Sequence, residues 1–153
     1  MGTRETLIVM KGLAQLAKNS PEMQNFIPGF RGYGQKEQLE MLDGFVRRNY
    51  AYRPEILELI RTPQKMLTDL HERGRMEGDC DDISTFNTSV CYALGLRSRL
   101  VAIRTDPANP EFLHVFAECE AAVGSGNAYF RLDPTVSNDQ DLVHYGERME
   151  QNV

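Results

Sequence analysis

Gly78-Asp79-Cys80-Asp81-Asp82 is the stretch of sequence that decides the fold, because it starts a helix at a cysteine. Asp79 is a favoured N-cap residue, and Asp82 lies three positions later, where a capping box places its second polar side chain. The apolar stripe that follows predicts a helix that stops at Gly95, a favoured C-cap residue. Cys80 is therefore expected in the first turn of a helix with one buried face.

The sequence upstream of this cysteine is helical in pattern. Apolar residues recur there at helical spacing in three segments, which are separated by turn residues. These segments cover about residues 3–18, 36–48 and 63–73. Residues 21–35 are expected to form a loop that can include a short turn of helix, and residues 49–52 an extended stretch.

Three strands are predicted downstream, at about residues 97–104, 112–120 and 127–133. The last two flank a hairpin loop over residues 121–126. If this loop places Glu120 opposite Asn127, the antiparallel register puts His114 directly opposite Asp133, within hydrogen-bonding reach on one face. The predicted fold is therefore α+β, with N-terminal helices and the cysteine helix packed on a small antiparallel sheet.

Cys80, His114 and Asp133 have the residue types that nucleophilic catalysis requires. A helix N-terminus and an adjacent imidazole both favour the thiolate, which is the nucleophilic form of cysteine. A carboxylate behind the imidazole fixes its tautomer and stabilises its charge. Asp79, Asp81 and Asp82 oppose ionisation of the thiol, unless they point away from the sulfur as capping residues do.

Three motifs in this order resemble the transglutaminase-like superfamily, and in particular its small microbial and phage members. They are Gly78–Asp82, Leu113–Glu118 and Leu132–Thr135, and the resemblance covers roughly residues 40–136. It implies a papain-like fold, with Cys80 as nucleophile and with His114 and Asp133 completing the triad. The activities that it implies are transamidation, proteolysis and amide hydrolysis, and some members of the family are inactive.

The chain departs from this family at the oxyanion hole. Several family enzymes complete it with a tryptophan side chain, and this sequence has no tryptophan. The backbone N–H of Cys80 is expected to be one donor. Tyr50 or Tyr52, in the extended stretch before the cysteine helix, is a candidate for the second.

The remaining composition argues against several classes of protein. The net charge is −5, which does not favour a nucleic-acid binder, and no apolar run is long enough to suggest a membrane span.

Cys91 and Cys119 are expected to be buried core thiols, because three cysteines are few and odd in number for a disulfide framework. No cofactor or metal site is predicted. The short apolar run near the N-terminus does not read as a signal peptide, so a cytoplasmic location, or packaging into a virion, is expected.

The length of 153 residues suits a single transglutaminase-like domain. We expect a helical N-terminal extension over residues 1–35, a core over 36–136 and a C-terminal tail over 137–153. Two functions fit this organisation. The first is a cysteine protease, amidase or transglutaminase acting on a peptide or amide substrate. The alternative is a catalytically weak or inactive interaction protein, associated with a protein partner or a phage virion through its helical half and the glycine-rich segment 29–34.

Overall fold

The computed structural model describes residues 2–55, 59–138 and 140–153, and it has the α+β class that the sequence predicts. The helices are α1 (Thr3–Ala17), α2 (Pro21–Phe26), α3 (Gln35–Asn49), α4 (Pro63–Arg73) and α5 (Cys80–Ala93), with a 3-10 turn at Ile27–Phe30. The strands are β1 (Tyr50–Tyr52), β2 (Met76–Gly78), β3 (Ser98–Ile103), β4 (His114–Val123), β5 (Gly126–Leu132) and β6 (Met149–Asn152).

The cysteine helix α5 lies at the centre of the molecule. One side of it packs on β4 and β3, the inner strands of an antiparallel sheet with the order β5-β4-β3-β6. Another side packs against α1, so the predicted N-terminal extension contributes to the core. Strands β1 and β2 form a separate parallel pair, and β2 leads directly into α5. Cys80 therefore lies between a paired strand, β2, and the packed helix α5.

The hairpin of β4 and β5 differs from its predicted register. Glu120 pairs with Tyr129 rather than with Asn127, and the strands continue until Val123 faces Gly126. The predicted six-residue loop was wrong, because a tight turn with Gly124 at φ +59° suffices to reverse the chain. The resulting shift of two residues preserves the face of every side chain, since the side-chain period of a strand is two.

The C-terminal residues, which were expected to form a tail, include a strand. β6 pairs with β3 over four residue pairs, from Arg99 with Asn152 to Ala102 with Met149. The predicted loop over residues 21–35 likewise contains α2, which Ser20 caps by accepting a hydrogen bond from the Met23 amide. Short elements of mixed polarity give little periodic signal, and this explains why β6 was not predicted and why α2 was expected as no more than a short turn.

Cys91 and Cys119 are buried as expected, but the prediction that both are free thiols was wrong. They form a disulfide that joins the last turns of α5 to the middle of β4. The expectation of free thiols came from the cysteine count, and three cysteines still allow one pair with one cysteine left over. The free cysteine of the chain is Cys80.

Candidate active site

The N-terminus of α5 is fixed by the capping box that the sequence predicts. The Asp79 carboxylate accepts hydrogen bonds from the amides of Asp81 and Asp82, at 3.0 and 3.2 Å. The Asp82 carboxylate accepts in return from the Asp79 amide at 3.0 Å. Gly78 is required beside this box, because a Cβ atom there would lie 2.6 Å from the Asp82 side chain. These contacts set the position of Cys80 as the first helical residue.

Asp82 also connects the start of α5 to the segment before α4 through a hydrogen bond. Its second carboxylate oxygen accepts a hydrogen bond from the Arg61 amide at 2.7 Å, and its side chain is fully buried. Burial is the main reason that the pKa of Asp82 lies above its usual range, and the nearby Asp79 carboxylate adds to it. Asp82 therefore acts as a structural acceptor within the protein and does not line the cleft described below.

His114 and Asp133 meet through the interaction that the sequence predicts, although the register differs. The His114 Nε2–H donates to Asp133 Oδ2 at 2.6 Å. Pairing of the two strands ends at Leu132, so Asp133 reaches the imidazole from the residue just beyond β5. Because Nε2 carries the proton shared with the carboxylate, Nδ1 is left as the basic nitrogen of the neutral ring.

The Asp133 carboxylate is held by two further groups of the chain. Its Oδ1 atom accepts hydrogen bonds from the Thr135 amide at 3.1 Å and from the Thr135 hydroxyl at 2.6 Å. Burial alone would raise the pKa of Asp133, but the hydrogen bonds and the charge of the His114 ring outweigh it, and the pKa lies below its ordinary value. Asp133 is therefore ionised at neutral pH and can hold an imidazolium.

Arg47 of α3 and Thr135 position Asp133, and neither was predicted from the sequence to have a role at the site. The Arg47 guanidinium donates to the backbone carbonyls of Asp133 and Val136, at 2.9 and 2.8 Å, and is paired with Asp43. An Asp side chain often bonds the amide two residues on, so the Thr135 contact could have been found from the Asp-Pro-Thr turn. The contact of Arg47 spans 86 residues, and no local pattern signals it.

Cys80 and His114 line one cleft of about 690 Å³ at the start of β4. The neighbouring strand residue Val115 joins α5 to β4 at this point, because its carbonyl accepts from the Ser84 hydroxyl at 3.2 Å. Among the described residues, no direct hydrogen bond joins the Cys80 sulfur to the His114 ring. The cleft therefore brings the thiol and the imidazole to one opening without a direct hydrogen bond between them.

The Cys80 thiol is protonated at neutral pH in this structure. Burial is the main cause that raises its pKa to about 12, and the carboxylates of Asp81, Asp79 and Asp133 add to the effect. A backbone hydrogen bond from Val115 opposes the increase without cancelling it. The lowered pKa that we expected from the helix N-terminus and the imidazole is therefore not found, because desolvation and three negative charges are stronger.

The two tyrosines proposed for the oxyanion hole differ in their surroundings. The Tyr50 hydroxyl donates to the Gly78 carbonyl at 2.7 Å, so its proton is already used within the protein. The prediction for Tyr50 is corrected on this ground. Tyr52 lines the cleft beside Cys80. The Asp79 side chain accepts hydrogen bonds from the amides of Asp81 and Asp82 and not from that of Cys80. The Cys80 amide therefore stays a candidate donor for the oxyanion hole.

Comparison with known proteins gives a likeness of fold. No family model matches the chain, and no curated protein matches it. A candidate cysteine protease from Cytophaga hutchinsonii, whose crystal structure is solved, superposes with a TM-score of 0.50 at 16% identity. The match covers 94% of this chain but 49% of that protein, so the chain spans about half its length. The chain thus shares its fold with the matched part of that protein.

Neither a metal site nor a membrane-spanning helix occurs among the described residues. No group of three or more His, Cys, Asp or Glu side chains is arranged to hold a metal ion. No helix among the described residues has the length and apolar character to cross a membrane.

Proposed function

We propose that the chain is a cysteine hydrolase that cleaves amide bonds through Cys80, His114 and Asp133. The observation that carries this proposal is the hydrogen bond of 2.6 Å from His114 to the buried Asp133, at the cleft that also contains Cys80 at a helix start. The membership of the chain in the transglutaminase-like superfamily remains part of the proposal, and the cysteine-protease-like fold is compatible with it.

His114 serves as a general base in the proposed reaction, because the resting thiol is protonated. As the Cys80 sulfur attacks the carbonyl carbon, its proton passes to His114 Nδ1 and the Asp133 carboxylate stabilises the imidazolium. The tetrahedral intermediate collapses when the C–N bond breaks and His114 gives its proton to the leaving amine. The product of this half-reaction is a thioester on Cys80.

Water completes the reaction in the second half. His114 takes a proton from water as its oxygen attacks the thioester carbonyl, the C–S bond breaks, and the proton returns to the sulfur. An amine in place of water would give transamidation, which is the transglutaminase form of the same chemistry. The Cys80 amide is the proposed oxyanion donor in both halves, and Tyr52 is the remaining side-chain candidate.

The direct test is a search for an acyl-enzyme on Cys80. The protein is incubated with a mixed peptide library, quenched in acid, and analysed by mass spectrometry for cleaved peptides and for acyl groups on Cys80. We expect both signals in the wild type, neither in Cys80→Ala, and a large loss in His114→Ala. A fluorescent primary amine added to the reaction separates transfer from hydrolysis. Cleavage that persists in Cys80→Ala would contradict the proposal.

The raised pKa of Cys80 favours a second candidate, a protein that keeps the fold without catalysis. Its role would be interaction with a protein partner, and association with a virion stays a prediction of the same kind. In this case the library experiment gives neither cleavage nor acylation with any peptide or activated ester, although the wild-type protein is folded.

A further inference from the structure

The ring of His114 lies against the ring of Phe116 on one face of the sheet. The two residues are two positions apart on β4, and residues at that spacing point to the same face of a strand. Their ring centres are 6.0 Å apart, and the ring planes are inclined by 29°. This is the offset-stacked arrangement that aromatic rings prefer. His114 thus contacts Phe116 through the face of its ring and Asp133 through the edge.

The Phe116 ring is itself held in place by its surroundings. It is 4% exposed and belongs to an apolar cluster with Val101 and Ile103 of β3. The Arg148 guanidinium lies 5.8 Å from the centre of the ring, within the range of a cation–π contact. A side chain that is packed on this many sides has little freedom to move. Phe116 is therefore a fixed surface for the His114 ring.

The hydrogen bond to Asp133 leaves the His114 ring one freedom of motion. It fixes a single ring atom, Nε2, whereas the torsion about the Cβ–Cγ bond of a histidine is only broadly restrained. Rotation about that bond would move Nδ1, which is the nitrogen that the proposed function uses as base. A stacked neighbour opposes this rotation, because the ring cannot turn without colliding with the aromatic face or losing contact with it. The contact with Phe116 therefore supplies the restraint that the hydrogen bond does not.

We propose that Phe116 is a positioning residue, which fixes the plane of the His114 imidazole and thereby the direction of its basic nitrogen. Phe116 is not among the described residues that line the Cys80 cleft, so it acts through His114 and not on the substrate. Its effect on catalysis rests on the proposed function. Its effect on the motion of the ring requires the fold alone, and it can be measured without turnover.

NMR relaxation of the carbon-13-labelled His114 ring tests the proposal in the absence of chemistry. The chain has three histidines, so the His114 signal is assigned by its absence in His114→Gln. We expect an order parameter of about 0.85 in the wild type, as in a rigid backbone, and below about 0.6 in Phe116→Leu, which removes the aromatic face. Phe116→Tyr retains that face and should keep the wild-type value. A ring that stays rigid in Phe116→Leu would overturn the proposal.

Val101→Ala is the matched control for loss of packing. Val101 is a fully buried member of the same apolar cluster, and its partner across the two strands is Phe116 rather than His114. The variant should lower the melting temperature and leave the order parameter of the His114 ring unchanged. An equal loss of ring order in both variants would assign the effect to a general loosening of the cluster and overturn the proposal. If Phe116→Leu does not fold, Phe116→Met takes its place, because an unbranched side chain adapts to the same space.

Steady-state kinetics separate the positioning of His114 from the binding of substrate. With a peptide that the wild type cleaves, Phe116→Leu should lower kcat roughly tenfold or more, because a misdirected base reduces the rate of proton transfer. KM should change less than about twofold, since Phe116 is not among the described residues of the cleft lining. A change confined to KM would overturn the proposal.

The two proposals fail in different ways. If Phe116→Leu loosens the His114 ring but no peptide is cleaved in a manner that depends on Cys80, the hydrolase is wrong and the restraint of the ring by Phe116 stands. If Cys80-dependent cleavage occurs and Phe116→Leu changes neither the ring order nor kcat, the hydrolase stands and the role given to Phe116 is wrong.

Discussion

The reactivity of Cys80 toward iodoacetamide can be predicted from its surroundings. At pH 8, a thiol of pKa about 12 is ionised in roughly one molecule in 10⁴. A reference thiol of pKa about 8.5 is ionised in roughly one molecule in four, so the populations differ about 2,000-fold. A more basic thiolate is intrinsically the better nucleophile. A Brønsted slope of about 0.4–0.5 over this pKa difference makes the Cys80 thiolate react roughly 25- to 50-fold faster than the reference thiolate. The net expectation is alkylation about 50-fold slower than that of a reference thiol, before any steric hindrance.

The assay is the initial rate of alkylation of Cys80 by mass spectrometry between pH 6 and 10. The other two cysteines are in the disulfide, so the signal comes from Cys80. We expect the rate to rise about tenfold per pH unit without a plateau. His114→Ala should change the rate less than twofold, because in the proposed reaction the imidazole takes the thiol proton only during attack on substrate. Asp81→Asn should raise the rate, since the Asp81 charge is the largest electrostatic contribution to the pKa of Cys80.

A plateau below pH 8.5 that disappears in His114→Ala would refute this reasoning. It would mean that a thiolate–imidazolium pair exists in the resting protein and that its mutual attraction exceeds the cost of burial. The proposed function would survive that result, with His114 as an acid from the start of the reaction. A rate that is the same in Asp81→Asn as in the wild type would separately refute the role given to the negative charges.

Three further predictions concern the elements that support the site. Gly78→Ala should lower the free energy of unfolding by about 1–3 kcal/mol in urea, because its Cβ would overlap the buried Asp82 side chain. Thr135→Val should cost about 1–2 kcal/mol at pH 7 by removing a hydrogen bond to the ionised Asp133 carboxylate. Folding lowers the pKa of the Asp133 carboxyl, so the ionised carboxylate stabilises the folded protein above the unfolded pKa, and this stabilisation is lost as pH falls. The loss of unfolding free energy caused by Thr135→Val should therefore be smaller in urea titrations near pH 3. Cys119→Ala should cost about 3–4 kcal/mol for a cross-link across 28 residues, and adding a reductant strong enough to open the wild-type disulfide should abolish the difference.

The helices and the contact between His114 and Asp133 were accessible from the sequence because their signals are local. α4 begins at Pro63 and ends at Arg73 as predicted, since Thr62 caps its start and Gly74 takes the left-handed conformation that ends a helix. The contact between His114 and Asp133 survived a wrong register because the error was two residues, which returns each side chain to the same face.

Other features could not be inferred because they depend on distant parts of the chain. The pKa of Cys80 is set mainly by burial, which a sequence does not give directly. The disulfide between Cys91 and Cys119 forms because α5 packs on β4, and cysteine count alone argued against it. The Tyr50 hydroxyl is taken by the Gly78 carbonyl only because β1 pairs with β2, and neither the pairing nor β2 has a periodic signal.

The disulfide has a consequence for the integrity of the molecule after proteolysis. It closes a covalent ring from Cys91 to Cys119, and this ring includes the exposed segment 105–108 between β3 and β4. A single cut in that segment would give two polypeptides, one with Cys80 and the other with His114 and Asp133. They would remain one covalent molecule, so on a non-reducing gel the nicked protein would migrate as a single species near 17.4 kDa and separate into two after reduction. A cut in this segment would therefore open the loop without separating Cys80 from His114 and Asp133.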